Sequence, residues 1–340
     1  MADGLSRRDL MKLGAAAAGA AAGLGSLEPA ARAQAGASKQ SRVTRFAMLN
    51  DCHLMPENHA AEGVTACLKH MMAQPDRPQE ILTGGDMVDR GMSTAEDRLK
   101  VLWDSFGKIL RDECGLKGLH CVGNHDVWGW NKGKSNTKGN EARWGKKWWM
   151  EAMGVDRSYC AVDRGPWRVI ILDSIYPADL DIKPKEGQRN PPKDIGRYIG
   201  KLEQDQMDWL ESELTATDKK RPVMVVSHIP ILSMAAVEHD ARTSSGDWVI
   251  PAGVMHIDAQ DITALFRAHG NVRLALSGHI HKNDRVEYDG TTYICAGAAS
   301  GSWWRGREDR CDEGYSLIDL FDDGSFQHQY VTYGWRAQRE

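Results

Sequence analysis

The sequence predicts an α/β fold with much parallel strand pairing, and three observations point there. Short apolar runs alternate with helix-spaced amphipathic segments along most of the chain, the pattern of strand–helix units. Five of those runs end in polar clusters of Asp, Asn, His, Ser and Gly. Towards the C-terminus the alternation gives way to strands joined by an Asp-Gly turn.

In order, RFAML (45–49) precedes the helical pattern VTACLKHMM (64–72), and EIL (80–82) precedes AEDRLKVLWDSFGKIL (95–110). GLHCV (118–122) is followed by RWGKKWWMEAM (143–153), and RVIIL (168–172) by QDQMDWLESEL (204–214). PVMVVS (222–227), AQDITALFRAH (259–269) and VRLALS (272–277) complete the alternation. TTYICAG (291–297) reads as a further strand, and YSLIDLF-DDG-SFQHQYVTY (315–333) as a hairpin in a second sheet, since Asp-Gly suits a tight turn. Two long connections stand out, one from Trp128 to about Asn140 and one from Ser174 to about Gly200. Loops of that length in compact domains are usually functional or mobile.

The N-terminal stretch SRRDLMKLGAAAAGAAAGLGSLEPAARA resembles a bacterial twin-arginine signal, with Arg7 and Arg8 ahead of an Ala/Gly-rich run and a small-residue cleavage site before Gln34. The run from Leu13 to Leu27 falls short of the roughly 20 apolar residues a membrane span needs. The organisation expected is therefore a signal peptide over 1–33, a linker over 34–42 and one domain over 43–340. The mature protein would have no membrane span, would meet the twin-arginine export machinery, and would be periplasmic or secreted. Without residues 1–33 the net charge is about −5, a balance that argues against binding duplex nucleic acid by neutralising phosphates. Seven cysteines without a C-x-x-C pair read as mostly buried thiols with at most one bridge.

The strand ends carry the chemistry. RFAML and Asn50 lead to Asp51-Cys52-His53, EILTG to Gly85-Asp86-Met87-Val88-Asp89-Arg90-Gly91, and LHCV to Gly123-Asn124-His125-Asp126. PVMVV leads to Ser227-His228, and VRLAL to Ser277-Gly278-His279-Ile280-His281. Open α/β sheets place their sites at the carboxyl ends of strands. Imidazole, carboxylate and amide oxygen suit Mn, Fe or Zn, whereas a thiolate set would indicate structural zinc. Asp-x-His and His-x-His spacing puts two ligands on one face of an extended segment and turns Cys52 away into the core. The ligands Asp51, His53, Asp86, Asn124, His228, His279 and His281 exceed one coordination sphere, so two divalent metal ions sharing a carboxylate are the economical reading. Each of these residues taken alone is also an ordinary strand-end turn or cap.

The ordered set D-x-H, G-D-x-x-D-x-G, G-N-H-D, S-H and G-H-x-H resembles the calcineurin-like metallophosphoesterases over nearly the whole mature chain. The resemblance implies a four-layer α/β/β/α sandwich of two mostly mixed β-sheets flanked by helices. It implies one metal on Asp51, His53, Asp86 and His281 and a second on Asp86, Asn124, His228 and His279. It further implies attack by a metal-bridging hydroxide, with His125 protonating the leaving oxygen. Asp89 stands where purple acid phosphatases carry a metal-binding tyrosine, which disfavours a tyrosinate–iron centre. GDMVDRG looks locally like the protein serine/threonine phosphatases, where the second Asp pairs with the catalytic His and the Arg meets phosphate. Asp89 is expected to orient His125, and Arg90 to approach phosphate. That family's other motifs are missing.

Trp128, Trp303 and Trp304 flank the site in sequence and suit stacking on a base or sugar, although packing of loops is the commoner role of Trp. Arg305 and Arg307 read as solvated charge, Asp173 as a turn residue, and His239 and His256 as structural residues near His228. The function expected is an exported metal-dependent phosphoesterase hydrolysing a small organic phosphodiester. A phosphomonoesterase is the alternative, and a non-catalytic metal-binding scaffold is a third reading.

Overall fold

The computed structural model describes residues 40–178, 197–238 and 245–337. The expected signal peptide, most of the linker, His239 and the middle of the connection after Ser174 lie outside the described residues. Among the described residues, no helix is long and apolar enough to cross a membrane.

Two sheets form the frame. The first, of five strands, runs β13 (Phe326–Thr332), β12 (Gly314–Phe321), β1 (Arg42–Leu49), β2 (Glu80–Thr83) and β3 (Gly118–His120). The second, of six, runs β10 (Asn283–Tyr288), β11 (Thr291–Ala296), β9 (Val272–Ser277), β8 (Val223–Val226), β5 (Trp167–Ile171) and β4 (Cys160–Arg164). The pairs β1–β2, β2–β3, β5–β8, β8–β9 and β9–β11 are parallel, and the flanking pairs are antiparallel. Parallel strands need crossover connections, which the helices supply.

The four layers follow from side-chain alternation. In β1, Phe46 and Met48 point into the core between the sheets, where they meet Trp167, Val169, Met224, Leu274 and Ile294. Ala47 and Leu49 point the other way, towards α1 (Ala60–Met72) and α2 (Glu96–Glu113). The second sheet does the same, with Ile170, Val225 and Val272 facing Leu210, Leu214, Ile262 and Phe266 of α5 (Gln204–Ala216) and α7 (Ala259–His269). Strands covered on both faces become continuous apolar runs, as VMVV in β8 shows. Truncating one such buried side chain to Ala costs about 2–5 kcal/mol.

The remaining helices are short: α3 (Lys132–Ser135), α4 (Lys147–Met153) and α6 (Met234–Val237). The long helix α2 buries Leu99, Leu102, Trp103 and Phe106, the i, i+3, i+4, i+7 stripe of a core-facing helix, and places Glu96 and Asp97 in its first turn.

Two expectations change. The C-terminal hairpin does not lie in a separate second sheet: β12 pairs with β1 in the first sheet. Its buried run GYSLIDLF is covered on both faces, Tyr315 and Leu317 on the helix side and Ile318 and Leu320 between the sheets, while β13 and β1 pair its two edges. The connection from Trp128 to Asn140 is not an open loop. It holds α3, and Ser135 and Thr137 are buried, with Thr137 Oγ1 donating to Gly129 O at 2.8 Å. The connection after Ser174 begins and ends in a two-stranded ribbon, β6 (Ile175–Pro177) with β7 (Tyr198–Gly200).

All seven cysteines are free; five are buried, Cys160 is exposed and Cys311 is partly covered. Cys52 lies in the core beneath α1, as expected.

Candidate metal centre

Parallel pairing brings the carboxyl ends of β1, β2, β3, β8 and β9 to one rim, and every expected ligand sits just past one of those ends. The D-x-H and H-x-H segments are not extended there, contrary to expectation. Asp51, His53, Asp86, His279 and His281 all adopt left-handed backbone, with φ of 52°, 40°, 58°, 70° and 58°. Such residues cost about 1–3 kcal/mol each and persist only where their surroundings hold them. The first strand ends at Leu49 and the ninth at Ser277, so the ligands belong to tight turns that curl their side chains into the rim.

Backbone contacts lock these turns together. Asp51 N–H donates to Gly85 O and His53 N–H to Asp86 O, both at 2.9 Å. The Asp126 carboxylate, buried in the GNHD turn, accepts amides from Gly123 and Asp86 at 2.9 Å and from Met87 at 2.8 Å. Burial and neighbouring Asp86 push this carboxyl up to about 7, while the amides favour its charged form. A Cβ on Gly123 would lie 2.1 Å from Asp86 Oδ1, so only glycine lets the third strand approach the shared carboxylate. Asn50 donates to Asp51 Oδ2 at 2.8 Å and also to Gly297 O. The roles of Asp126 and Asn50 escaped the sequence reading, although both flank ligand motifs.

Two clusters result. Asp51, His53 and His281 form one, Asp86, His228 and His279 the other, and each group's ligand atoms lie within 4.8 Å of one another. Asp86 also joins His53 and His125 in a third grouping. His228 Nε2 is 3.3 Å from Asp86 Oδ2 and 3.2 Å from Asn124 Oδ1. His53 Nε2 is 3.7 Å from the same Asp86 oxygen, so Asp86 lies between the two clusters.

The hydrogen bonds on the outer ring nitrogens test whether cations fit. His228 Nδ1 faces Gly84 O at 2.8 Å, His279 Nε2 faces Gly253 O at 2.7 Å, and His281 Nδ1 faces Gly301 O. A ring nitrogen against a carbonyl carries the proton, so in each neutral ring the opposite nitrogen is a bare lone pair. Those lone pairs point at carboxylates: His281 Nε2 lies 3.5 Å from Asp51 Oδ1 and 2.9 Å from His53 Nε2. Lone pairs converging on carboxylates repel one another unless positive charge sits between them, and carbonyl-anchored imidazoles are the usual support of metal ligands. The residues present fit two divalent cations.

The buried electrostatics agree. Burial opposes charge on Asp51, yet His281 beside it holds the carboxyl down at about 2. Burial likewise works against His228, but Asp86 pushes it up to about 9. A proton there does what a cation would do. Burial, aided by His125, drives His53 down to about 4, and burial with His228 drives His279 to about 3. Both are kept neutral, the form that ligates.

His125 stands at the edge of the cluster, its ring 4.5 Å from that of His53. The Arg90 amide donates to His125 Nδ1 at 2.9 Å. The neutral ring therefore carries its proton on Nε2. Asp89, expected to orient His125, has its Oδ1 3.3 Å from Nδ1, and the Arg90 amide meets the same nitrogen. Asp89 Oδ1 is also 3.6 Å from His53 Nδ1, and neither atom has a hydrogen-bond partner. Although burial opposes its charge, His125 and His53 keep the Asp89 carboxyl below its ordinary range. The Arg90 side chain is exposed, with Nε 3.3 Å from Asp89 Oδ2.

Of the three tryptophans expected near substrate, the structure leaves one. Trp128 is 1% exposed, donates to Thr94 O and packs edge-on against Trp148. Trp304 is 1% exposed, donates to Cys52 O and lies against Gly63, where a Cβ would fall 2.1 Å from its ring. Both are core residues because an indole surrounded by apolar neighbours gains most by burial once its N–H has a partner. Trp303 instead stacks on His281, with ring centroids 4.5 Å apart and planes 29° apart. His256 holds Ser227 from behind the site, pairing with Asp258 at 2.9 Å. Asp173 makes a turn, accepting from Ile175 N and Lys146 Nζ.

Comparisons with known proteins match this geometry. The calcineurin-like phosphoesterase family profile fits residues 44–283. A probable cyclic nucleotide phosphodiesterase of Rhodococcus erythropolis is 23% identical over 305 residues, covering 84% of this chain and 82% of that protein. A 3′,5′-cyclic adenosine monophosphate phosphodiesterase of Pseudomonas aeruginosa is 24% identical over 291 residues, covering 82% of this chain and 86% of that protein. The crystal structure of a dimetal phosphatase from Danio rerio superposes with a TM-score of 0.58 at 15% identity, covering 86% of this chain and all of that one, a likeness of fold.

Proposed function

Because the chain belongs to the calcineurin-like phosphoesterase family, we propose that it is a metal-dependent phosphodiesterase acting on a small organic phosphodiester. The observation that carries this reading is the pair of Asp/His clusters around Asp86, with imidazole nitrogens facing carboxylates. Asp51, His53, Asp86 and His281 would hold one divalent ion, and Asp86, Asn124, His228 and His279 the other. When bound, such ions place positive charge on the phosphoryl oxygens and make water acidic enough to attack at neutral pH. Mn, Fe and Zn all suit this donor set.

The chain's own residues supply the rest. His125 holds a proton on Nε2 because the Arg90 amide occupies Nδ1. That proton goes to the oxygen of the departing alcohol, a poor leaving group as an alkoxide, and such transfer contributes about 10²–10⁴-fold. Trp303 covers the His281 ring and shields that ligand from water. The cyclic nucleotide phosphodiesterases among the relatives support a diester over a monoester.

The test is a comparison of initial rates on bis(p-nitrophenyl) phosphate and p-nitrophenyl phosphate with Mn, Fe(II) or Zn supplied. Diester preference is expected; preference for the monoester would replace this reading with a phosphatase. Export by the twin-arginine route belongs to the same proposal and rests on Arg7 and Arg8. Replacing both with Lys should retain the protein in the cytoplasm, and unchanged fractionation would refute the route.

A further inference from the structure

A cleft of about 520 Å³, lined by Glu57, Asp89, Arg90, Arg98, Trp303 and Arg305 among others, opens beside the cluster of Asp51, His53 and His281. The cluster of Asp86, His228 and His279 is backed instead by a buried chain of polar side chains. The His256 ring faces Asp258 Oδ1 through Nδ1 at 2.9 Å and Ser227 Oγ through Nε2 at 3.0 Å. All three residues are buried. A carboxylate only accepts, so Nδ1 carries the proton and donates it to Asp258. Burial opposes the charge of that carboxyl, yet His256 keeps it below its ordinary range. A buried imidazole–carboxylate pair is a costly way to fill space, and no step of the hydrolysis uses it.

His256 reaches towards both histidines of that cluster. On one side, the Ser227 hydroxyl that meets Nε2 also lies 2.7 Å from Ile229 O, so the contact spans the two neighbours of His228. On the other side, His279 Nε2 faces Gly253 O at 2.7 Å. Gly253 belongs to the segment between α6 and α7, whose described residues form no strand of either sheet. That carbonyl therefore needs other fixings. Gly200 N–H donates to Ala252 O at 2.7 Å, Ile257 N–H to Gly200 O at 2.8 Å and His256 N–H to Pro230 O at 3.0 Å. Both the backbone and the side chain of His256 thus dock on the turn that carries His228, three residues past the carbonyl that aims His279. Asp258 fixes the far end: its Oδ2 accepts the Leu202 amide at 2.9 Å, and it immediately precedes α7.

Resting on the two-ion reading, we infer that His256 is a positioning residue for the ion held by Asp86, Asn124, His228 and His279. It sets His228 through Ser227, and His279 through the segment that carries Gly253 O. Hydrogen-bonded supports of this kind fix the orientation of ligating imidazoles. The ion held by Asp51, His53, Asp86 and His281 has other supports, since His281 Nδ1 faces Gly301 O and Trp303 covers the ring. Removing the His256 contacts should therefore loosen one ion and leave the other in place.

The test counts manganese bound to the metal-free mature protein, by electron paramagnetic resonance of the free ion. Wild type should bind two equivalents. His256→Ala should raise the dissociation constant of one equivalent about ten-fold, the lower end of the effect of such supports, and leave the other unchanged. Ser227→Ala, a smaller truncation, should reproduce the loss, and His256→Gln, whose amide can still meet Ser227, should recover part of it. Two backgrounds assign the ion. In His281→Ala, His256→Ala should weaken the equivalent that remains; in His228→Ala it should change nothing, and a further loss there would overturn the inference. Equal weakening of both equivalents in Ser227→Ala and His256→Ala, or no weakening of either, would also overturn it while two-ion binding by the wild type stands. A wild type that binds a single equivalent would refute the two-ion reading and the inference with it.

Discussion

The metal centre and the cleft beside it touch, yet they are built by opposite means. The centre stands on strand ends, its ligands buried apart from the half-buried His279, its backbone held in left-handed turns and its outer ring nitrogens fixed on carbonyls. The cleft is made of long side chains from the segments after β1, β2, β3 and β11, and its Arg98 is held by an exposed ion pair to Glu57. One region is pre-organised for charge. The other is adjustable, and surface pairs of its kind contribute only about 0–1 kcal/mol each. Metal ligation and the charge of the cleft thereby rest on separate residues, and changes in one should leave the other largely intact.

The sharpest way to break that separation is to remove the carboxylate between the two clusters. Asp86→Ala should abolish activity by at least roughly 10³-fold, the scale of several kcal/mol of metal-derived stabilisation, and should lower metal content, checked by elemental analysis. His125→Ala comes next, with kcat reduced about 10²–10⁴-fold and both metals retained. Its loss should be smaller on p-nitrophenyl esters than on alkyl esters, because a good leaving group needs no proton. If metals leave with His125, it is a ligand and the proton assignment fails.

Asp126→Ala addresses the supporting framework. It strips the acceptor from the Asp86, Gly123 and Met87 amides, and loss of such support should weaken metal binding about 10–100-fold, measurable by competition with a chelator. Gly63→Ala should leave kcat intact and reduce stability by about 1–3 kcal/mol in urea unfolding, because its Cβ meets the buried Trp304 ring. Unchanged stability there would show that Trp304 moves freely, against its close packing.

What the sequence disclosed divides along the same line. Metal chemistry restricts residue types, so Asp51, His53, Asp86, Asn124, His228, His279 and His281 could be picked out before their meeting place was visible. The alternating runs likewise disclosed an α/β frame with parallel pairing, whereas the four layers came from the family resemblance. Other features depend on partners far away in the chain. Nothing local distinguishes buried Trp304 from adjacent Trp303 on the site's edge, because that depends on Gly63 and His281. The edge strands β4 and β10 carry charged residues, as in CAVDR and NDRVEY, and offered no clean apolar run. The hairpin's place beside β1 is a pairing choice, and Asp126 looks like a turn residue until the amides of Gly123, Asp86, Met87 and Val88 are assembled around it.

The central claim is that the strand-end cluster holds two ions that act together around Asp86. Metal content of the mature protein, followed by elemental analysis while manganese is titrated against diester hydrolysis, tests it most directly. The account predicts two equivalents per chain at saturation, with activity rising as the second is filled. Full activity at one equivalent, or two equivalents bound by Asp86→Ala, would contradict it.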